Sequence, residues 1–186
     1  MRRHLALAAF SILLASTLRA ADVPAALADG SRRLESPKSG YSLTFVRPVR
    51  DAEDSLWSGV ELRKPGSAEQ QLIRSADAPQ SAGMLVAWSP YGDEGEPMDA
   101  WSPDGRFVAF REISCLWSPG DEYPVVCHMH ETTIVDLDHL DEACRGLLLG
   151  RYSFEGWVAG RPHTARYSPT LTGDHVEAEL GTCSTR

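Results

Sequence analysis

The sequence lacks the short motifs that mark the common catalytic families. It contains no G-x-S-x-G elbow, no H-E-x-x-H, no glycine-rich phosphate loop and no S-x-x-K. Its cysteines show no C-x-x-C spacing, so neither a thiol oxidoreductase nor a zinc ribbon is supported. Pairs of acidic residues are abundant, and a hydrolase that uses two carboxylates therefore stays open as an alternative, although no particular pair is selected.

Asparagine is absent and lysine occurs only at Lys38 and Lys64, while arginine supplies the remaining basic residues. This bias indicates a GC-rich bacterial genome. After residue 18 the sequence has no apolar run of the ~20 residues that a membrane-spanning helix needs.

The first residues predict a secretory signal peptide. A basic start (MRRH) precedes an apolar run at 5–18, which is shorter than a membrane span. Ala20 and Ala21 follow as small residues, and we expect cleavage after one of them. Because Leu18 and Arg19 are poor residues three positions before the cut, an uncleaved anchor is the alternative. The predicted location is the periplasm or the outside of the cell.

Removing this leader makes the protein more acidic. Three arginines leave, so the 18 Lys and Arg fall to 15 against 26 Asp and Glu, and the formal net charge changes from −8 to about −11. Such a charge disfavours nucleic acid and anionic membranes as partners and suits a basic protein. The predicted organisation is a signal peptide (1–20), an N-terminal linker (21–39) and a single β domain (40–186) without a membrane span.

From Gly40 onward, short extended segments alternate with Gly, Pro, Ser and Asp. This rhythm predicts an all-β fold of antiparallel meander sheets, arranged as a sandwich or a partial propeller-like sheet. Segment 139–149 fits a short helix or a strand equally well. The predicted strands are 41–47, 59–63, 70–74, 84–88, 106–111, 125–129, 132–137, 157–159 and 175–180.

The four cysteines are Cys115, Cys127, Cys144 and Cys183. An even number in an oxidising compartment predicts two disulfides, for which three pairings exist. The favoured pairs are Cys115–Cys127, which closes a loop rich in turn residues, and Cys144–Cys183, which ties down the C-terminal strand.

The tripeptide W-S-P occurs at Trp88, Trp101 and Trp117, and Y-S-P occurs at Tyr167. At Trp101 the sequence continues as W-S-P-D-G-R-F-V-A-F, which resembles the blade motif of TolB-type and WD-repeat-like β-propellers. The resemblance covers about ten residues and implies a binding scaffold in which the tryptophan packs between blades and the D-G turn leads into a strand. At ~42 residues per blade the mature chain holds fewer than four blades, which favours a partial propeller-like sheet over a closed propeller.

His128 and His130 are the candidate metal ligands. In a strand, alternation would place them on one face, where two imidazoles can share a zinc or copper ion. The alternative is a solvated surface strand. The acidic run 136–142 lacks the oxygen ligand and the glycine that an EF-hand loop needs. It predicts a solvated turn, with a calcium site of another geometry as the alternative. No other cofactor is predicted.

Acidic residues beside W-S-P turns are candidate contacts for a basic protein partner, because aromatic anchors next to acids suit such surfaces. In the alternative interpretation the tryptophans belong to the core and the acids solvate loops. The candidate contact residues are Trp88, Asp93, Glu94, Glu96, Trp117, Asp121 and Glu122.

The leading functional hypothesis is an exported, non-enzymatic protein-binding protein, such as an inhibitor or immunity-type protein that neutralises a secreted toxin. Export, modest size, disulfides, acidity and the missing catalytic motifs favour it. The alternatives are a periplasmic metal-binding protein and an envelope-assembly protein of the TolB-like kind.

Overall fold

A computed structural model describes residues 22–49, 56–75, 83–92, 95–117, 126–140, 143–145, 152–169 and 173–180. These residues form two antiparallel sheets without helix, which confirms the all-β prediction. None of them forms a helix long and apolar enough to cross a membrane. The strands are β1 (Ala25–Ala26), β2 (Arg32–Glu35), β3 (Ser42–Pro48), β4 (Trp57–Arg63), β5 (Gln70–Ser75), β6 (Gly83–Ser89), β7 (Phe107–Trp117), β8 (Val126–Asp136), β9 (Ala143–Arg145), β10 (Tyr152–Trp157), β11 (Thr164–Pro169) and β12 (Val176–Glu179).

The larger sheet has nine strands in the order β1-β2-β3-β4-β6-β7-β8-β9, with β5 paired to β4 beside this path. The sheet divides at β4, whose residues 59–63 pair with β5, while Trp57 at its start pairs with Trp88 of β6. Residues of β3 and β7 nevertheless pack together in one core, where the rings of Phe45 and Phe110 meet edge to face with centroids 5.7 Å apart. The sheet therefore folds over its own apolar face without closing into a barrel.

The first half of strand β7 is buried on both faces. Its alternate residues Val108 and Phe110 belong to the main core, whereas Phe107 and Ala109 belong to a second core on the opposite face. The small sheet, in the order β10-β11-β12, covers that second face. Phe107 stacks on Trp157 of β10, with ring centroids 6.2 Å apart.

Several described segments differ from the sequence prediction. Of the strand predicted at 157–159, only Trp157 lies in a strand, at the end of β10. The predicted linker 21–39 contains β1 and β2. Leu34 in β2 is the only buried residue of these two strands, and a single buried position gives no hydrophobic pattern in the sequence. The two strands predicted at 125–129 and 132–137 form one long strand, β8, because β7 pairs with both parts. Strand β11 was not predicted, since Arg166 and Pro169 interrupt its apolar positions.

Candidate functional site

The hairpin of β7 and β8 is the longest in the described chain, with eleven residues in each strand. Its register sets Cys115 opposite Cys127 and Leu116 opposite Val126. Opposed residues of antiparallel strands have Cα atoms ~4.5–5.5 Å apart, within the ~4.4–6.8 Å that a disulfide spans. The register thus permits the favoured Cys115–Cys127 bond, which stays a prediction. Cys144, in β9, lies opposite Ile134 of β8. Cys183 lies outside the described residues.

One of the predicted contact residues, Trp88, lies in the core and not on the surface. Trp88 is only 4% exposed and belongs to the main core, and its Nε1 donates a hydrogen bond to Oε2 of Glu112 at 3.0 Å. It therefore cannot anchor a partner, and for this residue the core interpretation holds. Glu96 is exposed. Trp117 ends β7, and the predicted contacts Asp93, Glu94, Asp121 and Glu122 lie outside the described residues.

The two acidic segments follow opposite ends of the β6–β7 ladder. Gly83 at the start of β6 lies opposite Trp117, and Ser89 at its end lies opposite Arg111. A seven-residue strand spans roughly 20 Å. In the sequence, the acids at 93–96 follow Ser89, whereas those at 121–122 follow Trp117.

The predicted histidine pair lies on β8, where the pairing with β7 is irregular. His130 is opposite Ile113, but His128 is opposite the next residue, Ser114, so Met129 is an extra residue in β8. The regular alternation on which the shared-face prediction depended is interrupted between the two histidines. Among the residues whose side chains are described, no group of three or more His, Cys, Asp or Glu is arranged to hold a metal ion.

The W-S-P-D-G-R segment forms a closed turn at the start of β7. The Ser102 hydroxyl accepts a hydrogen bond from the Phe107 amide at 2.9 Å and donates one to Oδ1 of Asp104 at 2.7 Å. The Gly105 amide donates to the Ser102 carbonyl at 2.8 Å, with a Gly105 φ of 77°. The motif therefore specifies a turn held by hydrogen bonds between its own residues, and Trp101 beside it is fully buried.

We expect Gly105→Ala to lower the free energy of unfolding by about 2 kcal/mol, because a side chain there is strained by the positive φ and crowded. A Cβ at this position would lie 2.9 Å from Oγ of Ser39. Gly66 is the matched control, since it has a φ of 71° but nothing within 4 Å of a Cβ. Urea unfolding should give about 1 kcal/mol for Gly66→Ala. Equal losses in the two variants would show that contact with Ser39 is unimportant.

A buried ion pair joins the turn to the end of β8. The Asp136 carboxylate is 0% exposed, and Arg106 donates to it through Nε at 3.0 Å and Nη2 at 2.6 Å. The Asp138 amide donates to the same carboxylate at 3.0 Å, and Nδ1 of His139 lies 3.2 Å from it. Burial opposes ionisation, but these hydrogen bonds outweigh it and lower the pKa of Asp136.

A second carboxylate connects the turn to the small sheet. Oδ2 of Asp104 lies 2.7 Å from Nε2 of His163, a residue just before β11. Burial opposes ionisation of Asp104, but hydrogen bonds from Ser102, Arg106 and His163 lower its pKa. The Asp104 carboxylate lies between Ser102 and His163 and contacts both. In an activated serine, by contrast, a base such as histidine contacts the hydroxyl directly. We therefore interpret this cluster as a structural junction.

We expect the protein to lose stability as the pH falls below about 4. In the unfolded chain Asp104 and Asp136 titrate near the ordinary carboxyl value of ~3.9, whereas the pKa of each is lowered in the folded protein. The unfolded state therefore binds protons first, and stability that is full above the unfolded pKa is lost as the pH falls through the folded pKa. Urea unfolding of Asp136→Asn between pH 5 and pH 2 should show a flatter dependence than the wild type. An equally steep dependence would contradict this account.

No local pattern predicts the Arg106–Asp136 contact, because its partners are 30 positions apart and adjoin only through the β7–β8 register. The S-P-D-G-R motif was the one available clue to Asp104. Searches of protein-family models, of curated proteins and of solved structures found no match to this chain.

Proposed function

We propose that this chain is an exported, non-enzymatic protein-binding protein of the inhibitor or immunity type, and that it contacts its partner with the far end of the β7–β8 hairpin. The observation that carries the proposal is the position of Leu116, which is 51% exposed only three residues after the fully buried Ile113. β7 thus continues beyond the core and presents Leu116 to solvent. Contiguous exposed apolar residues are typical of interaction sites, and in this proposal Leu116 belongs to such a surface.

The hairpin would present this surface rigidly. Cys115 and Cys127 are opposed one position before the pair of the exposed Leu116 with Val126, and a bond between the two cysteines would fix the two arms. On its other side β7 pairs with β6 as far as Gly83 and Trp117. A loop held on a rigid support loses little conformational entropy on binding, which favours affinity.

The partner we propose is basic. The connection between β7 and β8 carries Asp121 and Glu122 next to Trp117, and the mature chain has a formal charge of about −11. Acidic residues at the rim of an interface steer a basic partner and speed its association. The affinity should therefore weaken as salt is raised.

The order of strands supports a scaffold role. Three consecutive meanders follow one another along the chain: β2 to β5, β6 to β9, and β10 to β12. This repetition of antiparallel units agrees with the propeller-like scaffold that the resemblance at Trp101 implies. Such scaffolds commonly present binding loops at strand ends, although a scaffold alone does not determine a function.

The test compares two equally exposed leucines. The wild-type chain captures its partner from periplasmic extract at moderate salt, and the purified partner is then titrated against Leu116→Asp and Leu72→Asp. Leu116 is 51% exposed and Leu72, on β5, is 50% exposed. We expect Leu116→Asp to weaken binding at least tenfold and Leu72→Asp to change it less than about twofold.

Recovery of no protein partner, or equal losses of affinity in the two variants, would contradict the proposal. Urea unfolding of both variants checks that each remains folded. An immunity role further requires that the captured partner be a toxin and that the wild-type chain suppress its activity. A partner without toxic activity would leave the protein-binding proposal intact and remove the immunity role.

A further inference from the structure

Asp22 is held by two contacts to the segment that precedes β7. Its backbone amide donates to the Met98 carbonyl at 3.1 Å, and its Oδ2 accepts from the Trp101 amide at 3.2 Å. Trp101 is fully buried and Met98 is 8% exposed. Asp22 therefore contacts the backbone of core residues that are nearly 80 positions away in the sequence.

The residues after Asp22 continue this ordered structure. β1 (Ala25–Ala26) pairs with β2, and the Leu27 amide donates to the Ser31 carbonyl at 3.0 Å. The predicted cleavage positions, after Ala20 and after Ala21, immediately precede Asp22 in the sequence. The predicted leader thus ends next to a residue that is built into the fold.

We propose that Asp22 marks the processing boundary of this chain, so that the leader is removed after Ala20 or Ala21 and only while residues 22–26 are undocked. This inference rests on the export that the proposed function includes. Hydrolysis adds water across one peptide bond and leaves a carboxylate on the leader and an amine on the mature chain. A peptidase acts on an undocked chain, so cleavage of the folded form requires local opening.

Cleavage also strengthens the docked state. When the cut falls after Ala21, the Asp22 amine that donates to Met98 becomes an ammonium group, and charged donors form stronger hydrogen bonds. This product therefore favours docking of the amino terminus once the leader is gone.

The first test is the mass and amino-terminal sequence of the protein recovered after expression of the full chain in a bacterium. We expect a periplasmic protein that begins at Ala21 or Asp22. A first residue at Val23 or later, or an intact leader on periplasmic protein, would overturn the processing boundary alone. Protein confined to the cytosol would overturn export, and with it the premise of this inference.

The second test uses purified precursor and signal peptidase in detergent. The folded precursor should be cleaved at least tenfold more slowly than the Asp22→Ala precursor, whose amino terminus is released more often. Asp22→Ala should also raise the unfolding equilibrium constant of the mature chain about tenfold, because the Trp101 amide loses its acceptor. The exposed Asp174 gives the control Asp174→Ala, which should change neither quantity more than twofold. Equal cleavage rates for wild-type and Asp22→Ala precursors would overturn the requirement for undocking.

Discussion

Replacing Phe110 with alanine is expected to lower the free energy of unfolding by about 4 kcal/mol, the largest loss that we predict for one side chain. Phe110 is 0% exposed, and its ring meets that of Phe45 at 84° with centroids 5.7 Å apart. Because this contact joins β3 to β7, the substitution removes packing between the two parts of the large sheet. The cavity left behind adds to the lost transfer free energy, since the strands on both sides are fixed by hydrogen bonds.

Equilibrium urea unfolding measures this effect, with Leu72→Ala as the control. Leu72 lies on β5 and is 50% exposed, so its truncation should cost less than about 1 kcal/mol. The slope of the unfolding free energy against urea should be unchanged in both variants. A loss below about 2 kcal/mol for Phe110→Ala would mean that the two parts of the sheet are not packed as described.

Asp136→Ala is expected to lower the free energy of unfolding by about 3 kcal/mol. The carboxylate is fully buried, and its removal leaves the Arg106 guanidinium and the Asp138 amide without this acceptor. Because Arg106 remains 24% exposed and water reaches part of it, the loss is at the lower end of the range for a broken buried pair.

Asp138→Ala is the matched control, since Asp138 also contacts Arg106, at 3.2 Å, but is 63% exposed. An exposed partner of this kind contributes about 0–1 kcal/mol. Chemical unfolding of both variants at pH 7 therefore separates the effect of burying a carboxylate from the effect of its charge beside Arg106. Losses of similar size at the two positions would show that the enclosure of Asp136 is not what stabilises the turn.

The strands with strong local signals were predictable from the sequence. The predicted segment 59–63 lies within β4, 70–74 within β5 and 84–88 within β6. These segments contain strand-forming residues such as Val, Ile and Trp and are separated by turn signals. β7 was predicted only as 106–111, yet it continues to Trp117 because β6 pairs with residues 111–117 and β8 pairs with residues 107–116. Pairing partners from elsewhere in the chain, which no local pattern reveals, set that boundary.

The candidate site was less predictable because it depends on register. The sequence left Trp88 as either a contact residue beside acids or a core residue, and in the fold it pairs with Trp57 and lies in the main core. The extra residue Met129 interrupts the alternation that grouped His128 with His130. The run starting at Asp136 was expected to be a solvated turn. The Asp136 carboxylate is nevertheless buried, because it pairs with Arg106, which is distant in the sequence.

Disulfide mapping of the protein recovered from the periplasm tests the central claim most directly, which is that a bridged β7–β8 hairpin presents the contact surface outside the cytoplasm. A protease that cuts after Glu122 separates the peptides of Cys115 and Cys127, which stay joined only by a disulfide. We predict that these two peptides are recovered together without reductant and apart with it. Free thiols at both positions, or a bond from Cys115 to Cys144 or Cys183, would contradict this account.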